Sequence, residues 1–428
     1  MTGAFRQHFM HGRTVDEDTG LLRDETGYAV NAEPVHVSAG TRIKAIDDSA
    51  FRIFFYAEKI PEELIYTYTY EPESNWTAYC AHVSEYEMKA GEHVVPVSGY
   101  IRTVIRDRDS AESWQDYFAV SGNELPDIIT PDQSALISRV RKYTEPDDLK
   151  LILLADTHYT VNGNWEKTAA SVREVQSDCP ADAVVHLGDF TDGMLTSEQT
   201  KEYAGRVIND LKDTGLPLYA CLGNHDVNYF RDNRERISMR ECAAFYLGRQ
   251  SCSYSVIYPE HHLKLIFINS FDPDRHERYG FSFRDVLWLQ KEVHSTPKNM
   301  KLIVFSHVPP LPGIHVWSDT ILNSSRVMHI LEARQQRIPG SILAWIHGHN
   351  HADQIVTEHS FPIVGIGCAK LEYFTDHKPT GASVYMRRQD TESELLWDYV
   401  LINAEKQRIR FLRCGAGTDR TIEKGAAV

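Results

Sequence analysis

The chain has 428 residues, 42% of them hydrophobic and 25% charged, which suits a folded globular protein of one large or two ordinary domains. Its formal net charge of -15 argues against nonspecific nucleic-acid binding, because that affinity comes from a basic face that neutralises phosphates. The seven cysteines are odd in number and hold no C-x-x-C pair, which argues against a disulfide framework or a thiolate zinc site and for free thiols in a reducing compartment.

The N-terminus shows no apolar signal-peptide core, and no apolar run reaches the roughly 18 residues that a membrane helix needs. A cytoplasmic protein without a membrane span is expected. Residues 1–35 are polar and turn-rich, with Gly12, Gly20 and Gly27. They read as a lead-in with little regular structure beyond a short strand near Tyr28–Val30. Residues 36–125 carry short β-branched and aromatic runs: Thr41–Ile46, Phe51–Ala57, Leu64–Tyr70, Thr77–Val83, His93–Val97 and Tyr100–Arg106. Their spacing predicts an all-β sandwich or small barrel, and the stretch reads as an accessory β-sandwich domain. The run Arg52–Ala57 is too continuous for alternation and predicts a strand buried on both faces. Trp76 and Trp114 are either core packing or a stacking platform, so the domain is also a candidate glycan- or partner-binding module. Residues 126–149 contain Pro126, Pro131 and Pro146 and read as a linker with a short helix over Ser134–Lys142.

From 150 to 414 strands and helices alternate. Leu151–Ala155 is an apolar run of the kind found in buried strands of helix-covered sheets, and it ends at Asp156. A helix over Trp165–Gln176 follows. The strand Ala183–Leu187 ends at Gly188-Asp189, and a helix spans Ser197–Lys212. The strand Pro217–Leu222 ends at Gly223-Asn224-His225-Asp226. A helix over Arg236–Leu247, a strand over Lys264–Ile268 and a helix over Phe283–Val293 come next. The strand Leu302–Phe305 ends at Ser306-His307. A helix over Thr320–Ala333 precedes the strand Ile342–Ile346, which runs into His347-Gly348-His349-Asn350-His351. The closing strands are Gln354–Thr357, Pro362–Gly365, Ser383–Arg387, Leu395–Asn403 and Gln407–Arg413. Residues 415–428 read as a fraying tail.

Five strand ends thus finish in carboxylate, amide or imidazole groups. Ligands of α/β sheets bind beyond the carboxyl ends of the strands, so these residues converge on one rim. Their donor atoms suit hard and borderline cations.

This ordered set resembles the calcineurin-like metallophosphoesterases. Asp156-x-His158, Gly188-Asp189, Gly223-Asn224-His225-Asp226, His307 and Gly348-His349-x-His351 match that family's motifs over about residues 150–370. Each block alone is common, but all five in order on strand ends are not. The resemblance implies a four-layer α/β/β/α catalytic domain after the β-sandwich. It implies two divalent or trivalent metal ions, with manganese, iron and zinc as the candidates. Asp156, His158 and His351 hold the first, Asn224, His307 and His349 the second, and Asp189 bridges them. His225 is implied to act on the ester without ligating, steadied by Asp226. Asp192 stands where purple acid phosphatases place a tyrosine ligand, so no iron–tyrosinate site is expected, and Asp192 reads as a loop acid or an acid behind the ligands rather than a ligand itself.

The expected activity is hydrolysis of a phosphomonoester or small phosphodiester by a metal-bound hydroxide. The alternatives are glycan or partner recognition with hydrolysis secondary, and a nuclease. The expected partner is a phosphorylated small molecule. Outside the motif set, His186 is expected in sheet packing, His261 and His262 in a solvated turn, His315 at the substrate rim and His347 behind the ligands. Arg231, Arg234, Arg275, Arg278 and Lys370 are basic residues that could grip a substrate phosphate or its other half, with exposed charge as their default role.

Overall fold

Apolar runs with a period of two, and continuous ones, become strands in both halves of the chain. The computed structural model describes residues 8–16, 20–32, 34–47, 49–57, 64–71, 76–77, 92–95, 98–106, 114–121, 132–159, 164–230, 233–371, 382–384, 387, 391–424 and 426–427. The chain divides into two compact units, one of Met1–Ile129 with Thr160–Gly163 and Arg388–Asp390, the other of Thr130–Tyr159, Asn164–Arg387 and Thr391–Val428.

The first unit contains β1 (Phe9–Val15), β2 (Leu22–Asn31), β3 (Val35–Val37), β4 (Arg42–Ala45), β5 (Phe51–Ala57), β6 (Leu64–Glu71), β7 (Trp76–Thr77), β8 (Glu92–Val94), β9 (Gly99–Arg106), the short α1 (Trp114–Tyr117) and β10 (Phe118–Ser121). One antiparallel sheet runs β1-β2-β9-β5-β6-β7, with β3 also on β9, and a second runs β10-β4-β8. Phe51, Ile53 and Phe55 of β5 share one buried cluster with Ile101 of β9, Ile43 of β4 and Phe118 of β10. Phe54 and Tyr56 point to the other face of β5 and are buried too, so its continuous run is a strand covered on both sides. Trp114 sits in the same cluster and donates from Nε1 to Thr103 Oγ1 at 3.1 Å. It is core packing, not a ligand platform. The side chain of Trp76 and residues 78–83 of the predicted Thr77–Val83 strand lie outside the described residues.

Residues 1–35 are not a plain lead-in. Their β1 and β2 form a hairpin that buries Phe9, Met10, Ala29 and Val30. Gly12 at φ 70° sits where the register shifts between His11 and Arg13. This bulge interrupts the alternation by which strands are recognised.

The second unit contains α2 (Ser134–Tyr143), β11 (Leu149–Leu154), α3 (Trp165–Asp178), β12 (Ala183–His186), α4 (Ser197–Lys212), β13 (Leu218–Ala220), α5 (Met239–Leu247), β14 (Tyr254–Tyr258), β15 (Leu263–Phe267), α6 (Phe283–Ser295), β16 (Lys301–Ser306), α7 (Ser324–Arg337), β17 (Ile342–His347), β18 (Ile355–Val356), β19 (Ile363–Gly365), β20 (Leu396–Asn403), β21 (Arg408–Gly415), β22 (Arg420–Glu423) and β23 (Ala426–Ala427). One sheet runs β13-β12-β11-β20-β21-β22-β23 and the other β14-β15-β16-β17-β19-β18. β13, β12 and β11 are parallel, as are β15, β16, β17 and β19.

The two sheets meet face to face. Leu151 and Leu153 of β11 and Val185 of β12 pack in one core with Leu265 and Phe267 of β15, Ile303 and Phe305 of β16 and Ile346 of β17. The alternate residues Ile266, Val304 and Trp345 face outward against Leu289 of α6 and Leu331 of α7. On the outer face of the first sheet, Trp397 of β20 donates from Nε1 to Ser171 Oγ of α3 at 2.9 Å. The architecture is therefore the four-layer α/β/β/α sandwich. Residues after 414 extend it rather than fray: β22 pairs with β21 and buries Ile422. Ser383–Arg387, expected as a strand, contributes none among the described residues.

Candidate metal centre

The rim at the carboxyl ends of the parallel strands draws on both sheets. Asp156 and His158 follow β11, Asp189 follows β12, and Asn224 and His225 follow β13. From the other sheet, His307 follows β16, and His349 and His351 follow β17. Three overlapping groups form there, with ligand atoms within 4.8 Å of one another: Asp156, His158 and His351; His158, Asp189 and His225; Asp189, His307 and His349. Asn224 joins the third, its Oδ1 3.0 Å from His307 Nε2.

The backbone is strained where these groups meet. Asp156, His158, Asp189, His349 and His351 have φ of 54°, 41°, 57°, 66° and 52°, half of the ten positive values among the described non-glycine residues. Such conformations cost about 1–3 kcal/mol each and collect at functional sites. Two glycines make room for the approach. A Cβ on Gly223 would lie 2.1 Å from Asp189 Oδ1, and one on Gly188 would lie 2.5 Å from the Gly223 nitrogen. Gly223 thus serves close approach, and its φ is not in the left-handed region.

Hydrogen bonds fix which ring nitrogen of His158, His307, His349 and His225 faces the site. His158 Nδ1 lies 3.1 Å from Asp192 Oδ1, and His307 Nδ1 lies 2.8 Å from the Leu187 carbonyl. His349 Nε2 lies 3.0 Å from the Trp317 carbonyl, and His225 Nδ1 lies 2.8 Å from the Asp192 carbonyl. These oxygens only accept, so each bonded nitrogen carries the hydrogen and the opposite nitrogen of the neutral ring offers a lone pair. His158 Nε2 then faces His351 Nε2 at 3.1 Å, and His307 Nε2 faces Asp189 Oδ2 at 3.1 Å. The inward nitrogens of these histidines stand beside the Asp156 and Asp189 carboxylates, and this donor set fits metal ions.

The titration directions reflect this crowding. Burial pushes the Asp156 carboxyl up to about 7 and the His158 ring down to about 4. Burial also opposes the charge of His307, but the Asp189 and Asp156 carboxylates outweigh it and raise the ring to about 9. For Asp189, burial raises the carboxyl, yet His307, His225 and His158 hold it well below the usual range.

Asp226 does not steady His225. Its Oδ2 accepts from the backbone N–H groups of Gly223 at 2.7 Å and Asp189 at 3.0 Å, and its Oδ1 accepts from Phe190 at 2.9 Å. The carboxylate is turned into the protein because residues 225–227 wind into a single 3-10 turn, which sends neighbouring side chains in different directions. The group that holds His225 is Asp192, which also braces His158.

Among the other candidates, His186 is buried and stacks on Phe190 at 3.8 Å, and His347 is buried with Nδ1 2.8 Å from the Gly348 carbonyl. His261, half-buried, places Nδ1 3.0 Å from the Asp147 carbonyl, and His262 is exposed. His315 accepts from the Trp317 N–H. Arg275 pairs with Asp272, Arg278 lies over the Tyr229 ring, and Arg234 is exposed. Lys370 donates its backbone N–H to the Asp156 carbonyl at 3.0 Å. Arg231 lies outside the described residues.

Three features were not read from the sequence. Trp317 and Tyr279 lie with their rings 5.1 Å from those of His351 and His349. Behind the rim, buried Asp398 binds Arg413 and Arg420, each at 2.8 Å. Arg420 in turn donates to the Asp353 carbonyl, two residues beyond His351. Asp398 and Arg413 are direct partners across β20 and β21, a signal visible only once the register is known.

Residues 149–353 match the family described as calcineurin-like phosphoesterase. A manganese-dependent ADP-ribose/CDP-alcohol diphosphatase of Arabidopsis thaliana is 22% identical over 205 residues, covering 39% of this chain and 64% of that protein. A probable glycerophosphodiester phosphodiesterase of Arcobacter nitrofigilis is 25% identical over 170 residues, covering 38% of this chain and 57% of that protein. The chain therefore spans less than two thirds of the length of either relative. Among solved structures, a dimetal phosphatase from Danio rerio aligns with a TM-score of 0.48 at 14% identity, covering 64% of this chain and 99% of that one. A purple acid phosphatase from yellow lupin aligns at 0.43 and 10% identity, covering 99% and 72%. With its matching domain and ordered motifs, the chain belongs to the calcineurin-like metallophosphoesterase superfamily.

Proposed function

We propose that this chain is a binuclear metal-dependent phosphoesterase that hydrolyses a phosphomonoester or a small phosphodiester. The observation that carries the reading is the ligand set: Asp189 belongs to two of the three ligand groups, and His158, His307 and His349 are each held by one ring nitrogen so that the other points inward. Asp156, His158 and His351 would hold one ion, Asn224, His307 and His349 the other, and Asp189 both. Bound there, manganese, iron or zinc supplies Lewis acidity and lowers the pKa of water.

The chain's own residues do the rest. Asp192 holds the His225 Nδ1–H through its carbonyl, which leaves Nε2 to carry a proton to or from the ester oxygen. Gly188 and Gly223 let the strand ends approach so that Asp189 reaches both ligand groups. The relatives' names denote a diphosphatase and a phosphodiesterase. Both cleave at a phosphorus substituted on two sides, which favours the diester. The test is Asp189→Asn with metal analysis and assays on p-nitrophenyl phosphate and bis-p-nitrophenyl phosphate. Joint loss of metal and turnover is expected; unchanged metal content with unchanged turnover defeats the reading. The two substrates separate monoesterase from diesterase.

A further inference from the structure

The loop between His307 and α7 bears an exposed indole at the metal centre. Trp317 keeps 40% of its surface exposed and the adjoining Val316 keeps 51%. The Trp317 ring meets the His351 ring edge-on at 5.1 Å and 80°, and the His315 ring at 4.9 Å and 68°. Its backbone is fixed on both sides. The Trp317 N–H donates to His315 Nδ1 at 3.3 Å, and its carbonyl accepts from His349 at 3.0 Å. The neighbouring Ser318 N–H donates to the His315 carbonyl at 2.9 Å, and the Gly313 N–H donates to the Ser318 carbonyl at 2.8 Å.

Two aromatic residues stand among the large exposed apolar side chains of the described residues, Phe283 and Trp317. Phe283 carries the Arg326 guanidinium over its ring at 5.8 Å. Trp317 instead borders a metal-ligating group and is held by a backbone bonded to another. An exposed indole loses the hydrophobic stabilisation of burial, so a rigid one beside a reactive centre is matched to something that covers it.

We propose that Trp317 determines specificity by receiving a planar ring on the organic half of the substrate. This rests on the phosphoesterase reading of the same site. With phosphorus at the metal centre, the ester's organic group leaves across the rim, and His351 and Trp317 are adjacent there. Stacking on an aromatic side chain is sequence-tolerant and strong enough to shift affinity about tenfold. The substrate class is therefore an aryl or heteroaryl phosphoester, with the ring attached close to phosphorus or, as in a nucleotide, one sugar away.

The test measures binding by isothermal titration to the manganese-loaded full chain and to Trp317→Phe and Trp317→Ala. Both variants keep the backbone groups that hold His315 and His349. The ligands are methylphosphonate, phenylphosphonate and α,β-methylene-ADP. Trp317→Ala should weaken at least one ring-bearing ligand about tenfold more than it weakens methylphosphonate, and Trp317→Phe should restore most of that loss. The ligand that responds tells an aryl group from a nucleobase. Equal weakening of all three ligands, no weakening, or no binding of either ring-bearing ligand to the native chain overturns the proposal. Binding does not depend on turnover. A chain that binds a ring through Trp317 yet cleaves neither nitrophenyl ester keeps Trp317 as a ring-binding residue but loses the phosphoesterase reading, and with it the assignment of that ring to a substrate.

Discussion

The Asp192 carboxylate lies 3.1 Å from Nδ1 of His158 and thereby turns Nε2 of that ring toward Asp189 and His351. Both groups are buried, so little water competes for the bond. Loss of such a partner typically costs 10- to 100-fold in metal affinity, roughly what Asp192→Ala should show. Asp192→Asn retains an accepting oxygen and should fall at the weak end of that range. Competition with a calibrated chelator measures both; an affinity unchanged in Asp192→Ala would mean that His158 is oriented by something else.

His225 and Asp226 are adjacent in sequence and should behave as unrelated residues. His225→Ala should lower turnover by about 100- to 10,000-fold, as removal of a proton-transfer group does, while metal content and melting temperature hold. Asp226→Ala strips the acceptor from three buried N–H groups and should destabilise the fold by on the order of 3–5 kcal/mol. Loss of metal in His225→Ala would instead make it a ligand, in line with its grouping with His158 and Asp189.

The ligand-bearing strand ends were legible because each is a short apolar run closed by polar donors. Leu151–Ala155 before Asp156 and Ile342–Ile346 before Gly348 show this, and one rim follows from sheet geometry. What chain order does not contain stayed hidden. The 3-10 turn that parts Asp226 from His225 is one case. Another is the contact of Gly223 with Asp189, residues that follow different strands. The β1–β2 hairpin was missed because a bulge at Gly12 breaks the alternation.

Gly223→Ala tests the close approach of the strand ends. The added methyl meets Asp189 Oδ1 at 2.1 Å, and the carboxylate shared by two ligand groups must move. Metal content and turnover should fall together. Gly205→Ala is the contrast: this residue lies within α4, and its methyl would meet nothing closer than Phe245 Cζ at 3.8 Å. Thermal unfolding should show a gain of about 0.5–1 kcal/mol, the helical advantage of alanine. A Gly223→Ala protein with full metal content would refute the crowding argument.

His186 should make the fold acid-sensitive. Burial depresses its ring from 6.5 to about 3, so the unfolded chain binds a proton that the folded chain refuses. The stability it protects is complete above pH 6.5 and declines as pH falls through that value toward 3. At pH 5 the cost is about 2 kcal/mol, from 1.36 kcal/mol per unit of pKa difference. Denaturant unfolding of the chelator-treated protein at pH 7.5 and 5 measures it against His186→Gln, which does not titrate. Equal pH slopes for the two proteins would remove His186 as the cause.

Asp398 should matter more to the metal rim than its distance in sequence suggests. It is wholly buried between Arg413 and Arg420, and Arg420 donates to the carbonyls of Asp353 and Gly365 at 3.0 and 2.8 Å. Asp398→Ala leaves two guanidinium groups in the interior with one fewer counter-charge, which costs about 3–5 kcal/mol when one partner of a buried pair is removed. The loss should exceed that of Arg141→Ala, whose exposed pair with Asp178 is worth about 0–1 kcal/mol. Because the same arginine fastens the segment after His351, metal affinity should drop in Asp398→Ala even under conditions where the fold persists. Unfolding and metal titration of the two variants side by side decide the matter; a destabilised Asp398→Ala with native metal affinity would confine the network to the fold.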